Sequence, residues 1–156
     1  MILISHRGNI NGSIPSDENR PEYIEAAIQR GYHVEIDVWK IAGSYFLGHD
    51  NPDYKIEESF LKNDALLCHA KSLQALESML ELGTHCFWHQ EDWYTVTSKG
   101  FIISYPGNAV TERTICMKPE LIDDESISRC YGICSDYVLK YRGEYILPVA
   151  DFNSTR

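Results

Sequence analysis

The residues of this chain that can do chemistry recur at one kind of place, the carboxyl end of a short apolar run. Ile2-Leu3-Ile4-Ser5 passes directly into His6-Arg7-Gly8. Glu35 and Asp37 alternate with Val34, Ile36 and Val38, and later runs end in His49-Asp50, His69-Ala70-Lys71 and His89-Gln90-Glu91. If each run is a strand of one sheet or barrel, these side chains gather along a single rim. An imidazole pair, a carboxylate pair, an arginine and a lysine collected there can hold a metal ion and a phosphate, which is the outline of phosphodiester hydrolysis.

That reaction needs the phosphoryl oxygens neutralised, a nucleophile activated and the leaving alkoxide protonated. Arg7, Lys71 and a cation suit the first task, and arginine alone can bridge two phosphate oxygens with parallel hydrogen bonds. His6 and His49 suit the other two, because imidazole titrates near neutral pH and one ring can act as base while the other acts as acid. The nucleophile is either water or a neighbouring hydroxyl of the substrate, which would leave a cyclic phosphate. Glu18 and Asn19 either belong to this site or start a helix. His33 and His85 read as structural histidines.

The elements that must position these groups can be read from periodicity and breakers. Strands are predicted at 2–5 and 33–38, the second placing His33, Glu35 and Asp37 on one face and Val34, Ile36 and Val38 on the other. A helix is predicted from Pro21 to Gly31, with Asn19 or Arg20 just before it and Ile24, Ala27 and Ile28 as its apolar face. Ala42-Gly43-Ser44 supplies a turn, and 45–49 runs back. Gly43 lies six residues from both Asp37 and His49. A hairpin folded there sets those two side chains opposite each other and makes one site of two motifs.

Further strands are predicted at 66–70, 86–89, 114–117 and 132–135, with a hairpin from 94–97 and 101–105. A helix over 72–82 has Ser72 as N-cap, a stripe of Leu73, Leu76, Met79 and Leu80, and Gly83 as its stop. Residues 119–129 read as loop or short helix. Strand and helix alternate early, so the expectation is a single α/β domain over 1–156: a compact, abbreviated (β/α)8 TIM-type barrel with several helices shortened or missing.

Composition narrows the function. A net charge of −9 over 156 residues opposes general nucleic-acid binding, while a local Arg-Lys-metal pocket can still reverse the sign around a phosphate. No run has membrane-spanning length and no signal-like start or basic amphipathic helix is visible, so the expectation is a cytoplasmic protein without stable membrane association. On that expectation the sequons at Asn11 and Asn153 carry no weight. The five cysteines, at 68, 86, 116, 130 and 134, sit mostly in apolar runs and read as buried, reduced thiols. Cys68-His69 and His85-Cys86 lack a paired Cys-x2-Cys knuckle, which argues against a structural zinc site. Trp88, Trp93 and Tyr94 either line a ligand pocket or pack at the rim. Oligomeric state is not legible.

His6-Arg7-Gly8, Glu18-Asn19, Glu35-Ile36-Asp37-Val38 and Gly48-His49-Asp50, in this order and spacing, resemble the glycerophosphodiester phosphodiesterase family of phospholipase-C-like barrels. Gly132-Ile133-Cys134-Ser135-Asp136-Tyr137 is similar to that family's last strand. The resemblance covers about the first third of the chain and this echo near its end. It implies His6 and His49 as acid–base histidines, Arg7 and Lys71 on the phosphate, and Glu35 and Asp37 as ligands of one divalent cation, Mg²⁺ or Ca²⁺. Where the family carries a third carboxylate ligand, this chain has His69. His69 as a ligand makes Mn²⁺ or Zn²⁺ an alternative, and Glu91 is a second candidate for the third position. The implied activity is metal-dependent hydrolysis of a small glycerophosphodiester-like substrate. The alternative is a non-catalytic or repurposed relative that binds a phosphate ligand.

Overall fold

The computed structural model describes residues 1–121 and 125–143. Its strands are β1 (Ile2–His6), β2 (His33–Ile41), β3 (Ser44–Leu47), β4 (Tyr54–Ile56), β5 (Leu66–Ala70), β6 (Cys86–Trp88), β7 (Tyr94–Val96), β8 (Ile102–Ser104), β9 (Thr114–Met117) and β10 (Gly132–Ser135). The α-helices are α1 (Pro21–Gln29), α2 (Leu73–Glu81) and α3 (Val138–Arg142), and short 3-10 turns cover Glu58–Lys62, Pro119–Leu121 and Glu125–Arg129.

This is not the (β/α)8 barrel that the sequence suggests. The described residues form one ten-stranded mixed sheet, curled into a half-barrel, with three short α-helices where a (β/α)8 barrel needs about eight. The linkers explain the difference. Residues 89–93, 97–101 and 105–113 are too short for a crossover helix, which takes a dozen residues or more. The chain therefore turns back through the antiparallel pair β7–β8 and carries β8 to β9 without a helix between them.

Parallel pairing runs β6-β5-β2-β1-β10-β9-β8, so these seven strands end at the same rim. The outer half of β2 continues as an antiparallel ribbon with β3 and β4. Curling brings β7 toward β6 without a strand ladder. Ser98 N donates to Cys86 O at 2.7 Å, and Thr95 Oγ1 donates to Trp88 O at 2.7 Å.

Alternation on the strands sorts the core into layers. Val34, Ile36 and Val38 of β2 pack outward under Ile24 and Ala27 of α1 and Ala75 and Met79 of α2. Ile2, Ile4, Leu67, Ile103 and Ile115 fill the concave side below the rim. α2 is capped as expected, with Ser72 Oγ accepting from Ala75 N at 3.2 Å. Its buried face is Ala75, Ser78 and Met79, whereas Leu73 and Leu80 of the predicted stripe are exposed. The helical period turns 75, 78 and 79 toward the sheet together, leaving 73 and 80 outside.

All five cysteines are buried. Among the described residues, no helix is long and apolar enough to cross a membrane. Asn153 lies outside the described residues.

Candidate functional site

The rim where the parallel strands end collects every predicted site residue. His6 ends β1 and stands level with Glu35 on β2, while Asp37 on β2 stands level with His69 on β5. Glu35 and Asp37 are two apart and so share the concave face. Lys71 follows β5. The tight turn at Ala42-Gly43, both at positive φ, folds β3 back on β2, and Gly48 N bonds Asp37 O at 3.2 Å. That brings His49 Nδ1 to 3.4 Å from Asp37 Oδ2, although the turn centres between Ala42 and Gly43 and the register, Val38 level with Leu47, runs one residue off the pairing expected about Gly43.

Arg7 ties the parts together from a left-handed conformation at φ 54. Its Nη1 donates to Glu18 Oε2 at 3.0 Å, its Nε lies 3.0 Å from Asp37 Oδ2, and its Nη2 donates to His49 Nδ1 at 2.6 Å. Five guanidinium N–H groups minus these three leave two for a ligand. Asn19 does not cap α1; Arg20 takes that position without a side-chain bond. Asn19 is buried at positive φ, donates from Nδ2 to Asp37 Oδ2 at 2.9 Å and accepts from Asp37 N at 2.9 Å. Glu18 accepts from Arg7, Asn9 and Ser13. Both residues thus belong to the site.

The carboxylates are buried side by side and behave differently. Burial, then the charge of Asp37, pushes the Glu35 carboxyl up to about 8. Burial also acts to raise Asp37, but His49, His69 and the Arg7 guanidinium hold it well below the ordinary carboxylate range. Glu35, Asp37 and His69 each offer one donor atom, and the three atoms lie within 4.8 Å of one another. Glu35 Oε2 and Asp37 Oδ1 are buried without a well-aligned hydrogen-bond donor, although His69 Nδ1 lies 3.1 Å and Lys71 Nζ 3.6 Å from that Asp37 oxygen. A buried carboxylate pair that holds one proton and keeps two oxygens unbonded fits a cation between its members. Glu91, the other candidate ligand, is exposed and stands outside the cluster.

Residues to which the motifs gave no role, Asp136 of the last-strand motif among them, complete the site. His6 Nδ1 donates to Asp136 Oδ1 at 2.7 Å. Asp136 Oδ1 also accepts from Asn9 Nδ2 at 2.8 Å, Lys118 Nζ lies 3.1 Å from Asp136 Oδ2, and the Asp136 N–H bonds Glu120. Burial lowers the His6 pKa, with the Asp136 bond opposing it, so the ring is held neutral on Nε2. Asp136 is itself lowered: burial works against ionisation, but the His6 bond and the nearby charges prevail. Lys118 and Asp136 each directly follow a strand, the same signal that marked His6, and that signal was legible in the sequence.

A pocket of about 220 Å³ opens over this rim, lined by His6, Arg7, Glu35, His49, His69 and Lys118, with an apolar wall that includes Phe87, Tyr105 and Met117. A polar cleft of about 370 Å³ adjoins it, sharing Arg7, His49 and Lys118. Trp93 and Tyr94 are exposed and line neither, and Trp88 packs against the outer core. His85 sits at the opposite end of β6, bonded through Nε2 to Thr97 Oγ1 at 2.8 Å, consistent with a structural role. Comparison of the chain with models of known protein families, with curated proteins and with solved structures gave no match.

Proposed function

We propose that this protein is a metal-dependent phosphodiesterase acting on a small glycerophosphodiester-like substrate. The observation that carries the reading is the single pocket into which His6, Arg7, His49 and Lys118 face beside the Glu35–Asp37–His69 cluster. A divalent cation held by that cluster would supply Lewis-acid charge to a phosphoryl oxygen.

The two histidines have different partners, which supports different work for each. His6 gives its Nδ1 proton to the Asp136 carboxylate, which leaves Nε2 as a lone pair facing the pocket. His6 is therefore the base that takes the proton of the nucleophile, water or a neighbouring substrate hydroxyl. Arg7 Nη2 approaches both ring nitrogens of His49, Nδ1 at 2.6 Å and Nε2 at 3.3 Å; in this reading the closer Nδ1 accepts and Nε2 carries the proton. His49 is therefore the acid. As the new P–O bond forms, the bond to the alcohol breaks and His49 Nε2–H protonates the departing alkoxide. The two remaining Arg7 N–H groups and the Lys71 and Lys118 ammonium groups orient the phosphate and offset its charge.

The test is release of glycerol 3-phosphate from glycerophosphocholine with added Mg²⁺, Ca²⁺, Mn²⁺ or Zn²⁺ and an EDTA control. Metal-dependent release is expected. Failure with every ion and with other small diesters would overturn the reading. The residue that favours the alternative of a phosphate-binding relative is His69, where a third carboxylate was expected. Inorganic phosphate binding without turnover would establish that alternative.

A further inference from the structure

The part of this site that departs from an all-oxygen cation cage is His69, and its ring is fixed from three sides. β5 lies between β2 and β6, with His69 level with Asp37 on one side and Phe87 on the other. The imidazole stacks on the Phe87 ring, with centroids 4.8 Å apart and planes 9° apart. Its Nε2 lies 3.2 Å from the carbonyl oxygen of His89. A carbonyl oxygen only accepts, so Nε2 must carry the proton of that bond.

The consequence falls on the other nitrogen. In the neutral ring Nδ1 is then a bare lone pair, 3.1 Å from Asp37 Oδ1 and 3.9 Å from Glu35 Oε1. A lone pair aimed at two buried carboxylates is repulsive unless a positive charge stands there, a proton shared between Nδ1 and Asp37 Oδ1 in the metal-free chain or a metal ion that displaces it. The backbone acceptor thereby selects the tautomer that presents Nδ1 as a ligand, an arrangement seen where second partners orient metal-binding imidazoles. Glu35 is almost wholly buried; its Oε1 lies toward His69, and its Oε2, 3.9 Å from His6 Nε2, has no hydrogen-bond partner.

We infer that the Glu35–Asp37–His69 cluster is a site for a first-row transition ion of the zinc type, bound through His69 Nδ1 and two carboxylate oxygens, in preference to Mg²⁺ or Ca²⁺. Hard cations take oxygen donors, whereas imidazole suits zinc and its neighbours. Three protein donors leave a position open for substrate or water, the pattern of catalytic rather than structural zinc sites. The donor atoms lie within 4.8 Å of one another, and small side-chain shifts bring them to the roughly 3.3–3.6 Å separation of donors around a tetrahedral ion with ~2.0–2.2 Å bonds. This inference rests on reading the cluster as a cation site and does not depend on phosphodiester turnover.

The test is calorimetric titration of the metal-free chain with Zn²⁺, Mn²⁺, Mg²⁺ and Ca²⁺, with the histidine ring nitrogens followed by ¹⁵N NMR. Zn²⁺ is expected to bind more than about tenfold tighter than Mg²⁺, with the His69 Nδ1 resonance shifting and Nε2 keeping its proton. His69→Asp, which makes the donor set all oxygen, is expected to shrink the Zn²⁺ preference at least roughly tenfold. His69→Gln serves as a second variant if three carboxylates together prevent folding, and it should weaken Zn²⁺ in the same way. Mg²⁺ or Ca²⁺ bound as tightly as Zn²⁺, or Zn²⁺ affinity unchanged in both variants, would overturn the inference. Turnover with a preferred Mg²⁺ would leave the phosphodiesterase reading standing and remove this one. Tight Zn²⁺ binding at His69 without turnover would do the reverse.

Discussion

His6 and Asp136 stand 130 positions apart in the chain, yet His6 Nδ1 and Asp136 Oδ1 are 2.7 Å apart. The link follows from the parallel pairing of β1 with β10, in which Ser5 is level with Ser135. One step further along, each strand delivers a polar side chain to the same rim.

Asp136→Asn tests what this bond does. The amide can no longer hold the proton on His6 Nδ1 as a carboxylate does, so turnover is expected to fall by about 10²-fold or more. Burial already lowers the His6 pKa and Asp136 opposes that shift. Removing the opposing charge moves the pKa further down, so the acid limb of the kcat/KM profile should move to lower pH. A variant with unchanged rate and profile would show that Asp136 only packs.

His6→Ala and His49→Ala should each abolish measurable turnover, a loss of about 10²–10⁴-fold, while leaving the fold intact. The His49 side chain is 42 % exposed, so its loss costs little packing. Asp136 keeps Asn9 and Lys118 when His6 is removed. Circular dichroism and glycerol 3-phosphate release separate folding from catalysis. Undiminished activity in both variants would remove the two-histidine mechanism.

Glu35 makes the metal-free protein sensitive to pH. Its folded-state pKa of about 8 exceeds its ordinary value of 4.5, so the folded chain keeps a proton that the unfolded chain releases. The stability this gives is complete below 4.5 and is lost as pH rises toward 8, with a slope approaching ~1.4 kcal/mol per pH unit. His6 and His85, both lowered by burial, act oppositely below their ordinary 6.5, so the comparison must isolate Glu35. Urea midpoints of wild type and Glu35→Gln across this range provide it. Wild type should lose stability relative to the variant as pH rises, and a saturating cation should abolish the difference.

Gly8→Ala should destabilise the fold by about 1–3 kcal/mol, read from the urea midpoint. Gly8 has φ +93, and an added Cβ would meet Tyr23 Cδ1 at 2.5 Å. Tyr23→Leu in the same background should recover the steric part and leave the backbone part. The close approach exists because Arg7 and Gly8, both at positive φ, turn the chain sharply after β1 to aim the guanidinium at Asp37 and His49.

Most of the site was legible because it is built from local patterns. Alternation put Glu35 and Asp37 on one face, and the hairpin spacing brought His49 near Asp37, although the turn falls between Ala42 and Gly43 and shifts the register by one residue from the expected pairing. Asn19 was not assignable in this way. Its position before Pro21 reads equally well as a helix start, and only the approach of the 7–20 loop to β2 gives its amide to Asp37. The apolar stripe of α2 was misplaced for a related reason: Leu73 and Leu80 fit a helical period, but the direction of the sheet decides which arc is covered.

By itself the sequence determined every described strand but β4, most turns and the identity of the groups at the strand ends, because these follow from backbone preference and side-chain period. Tertiary structure decided what those preferences leave open. Short linkers after β6 exclude crossover helices, so the expected barrel becomes a curled mixed sheet whose end strands approach without a ladder. The partners that give each histidine its tautomer, Asp136 for His6, Arg7 for His49 and the His89 carbonyl for His69, come from distant segments. A tautomer depends on which acceptor or donor a ring meets in space, and strand pairing across the sheet sets that meeting.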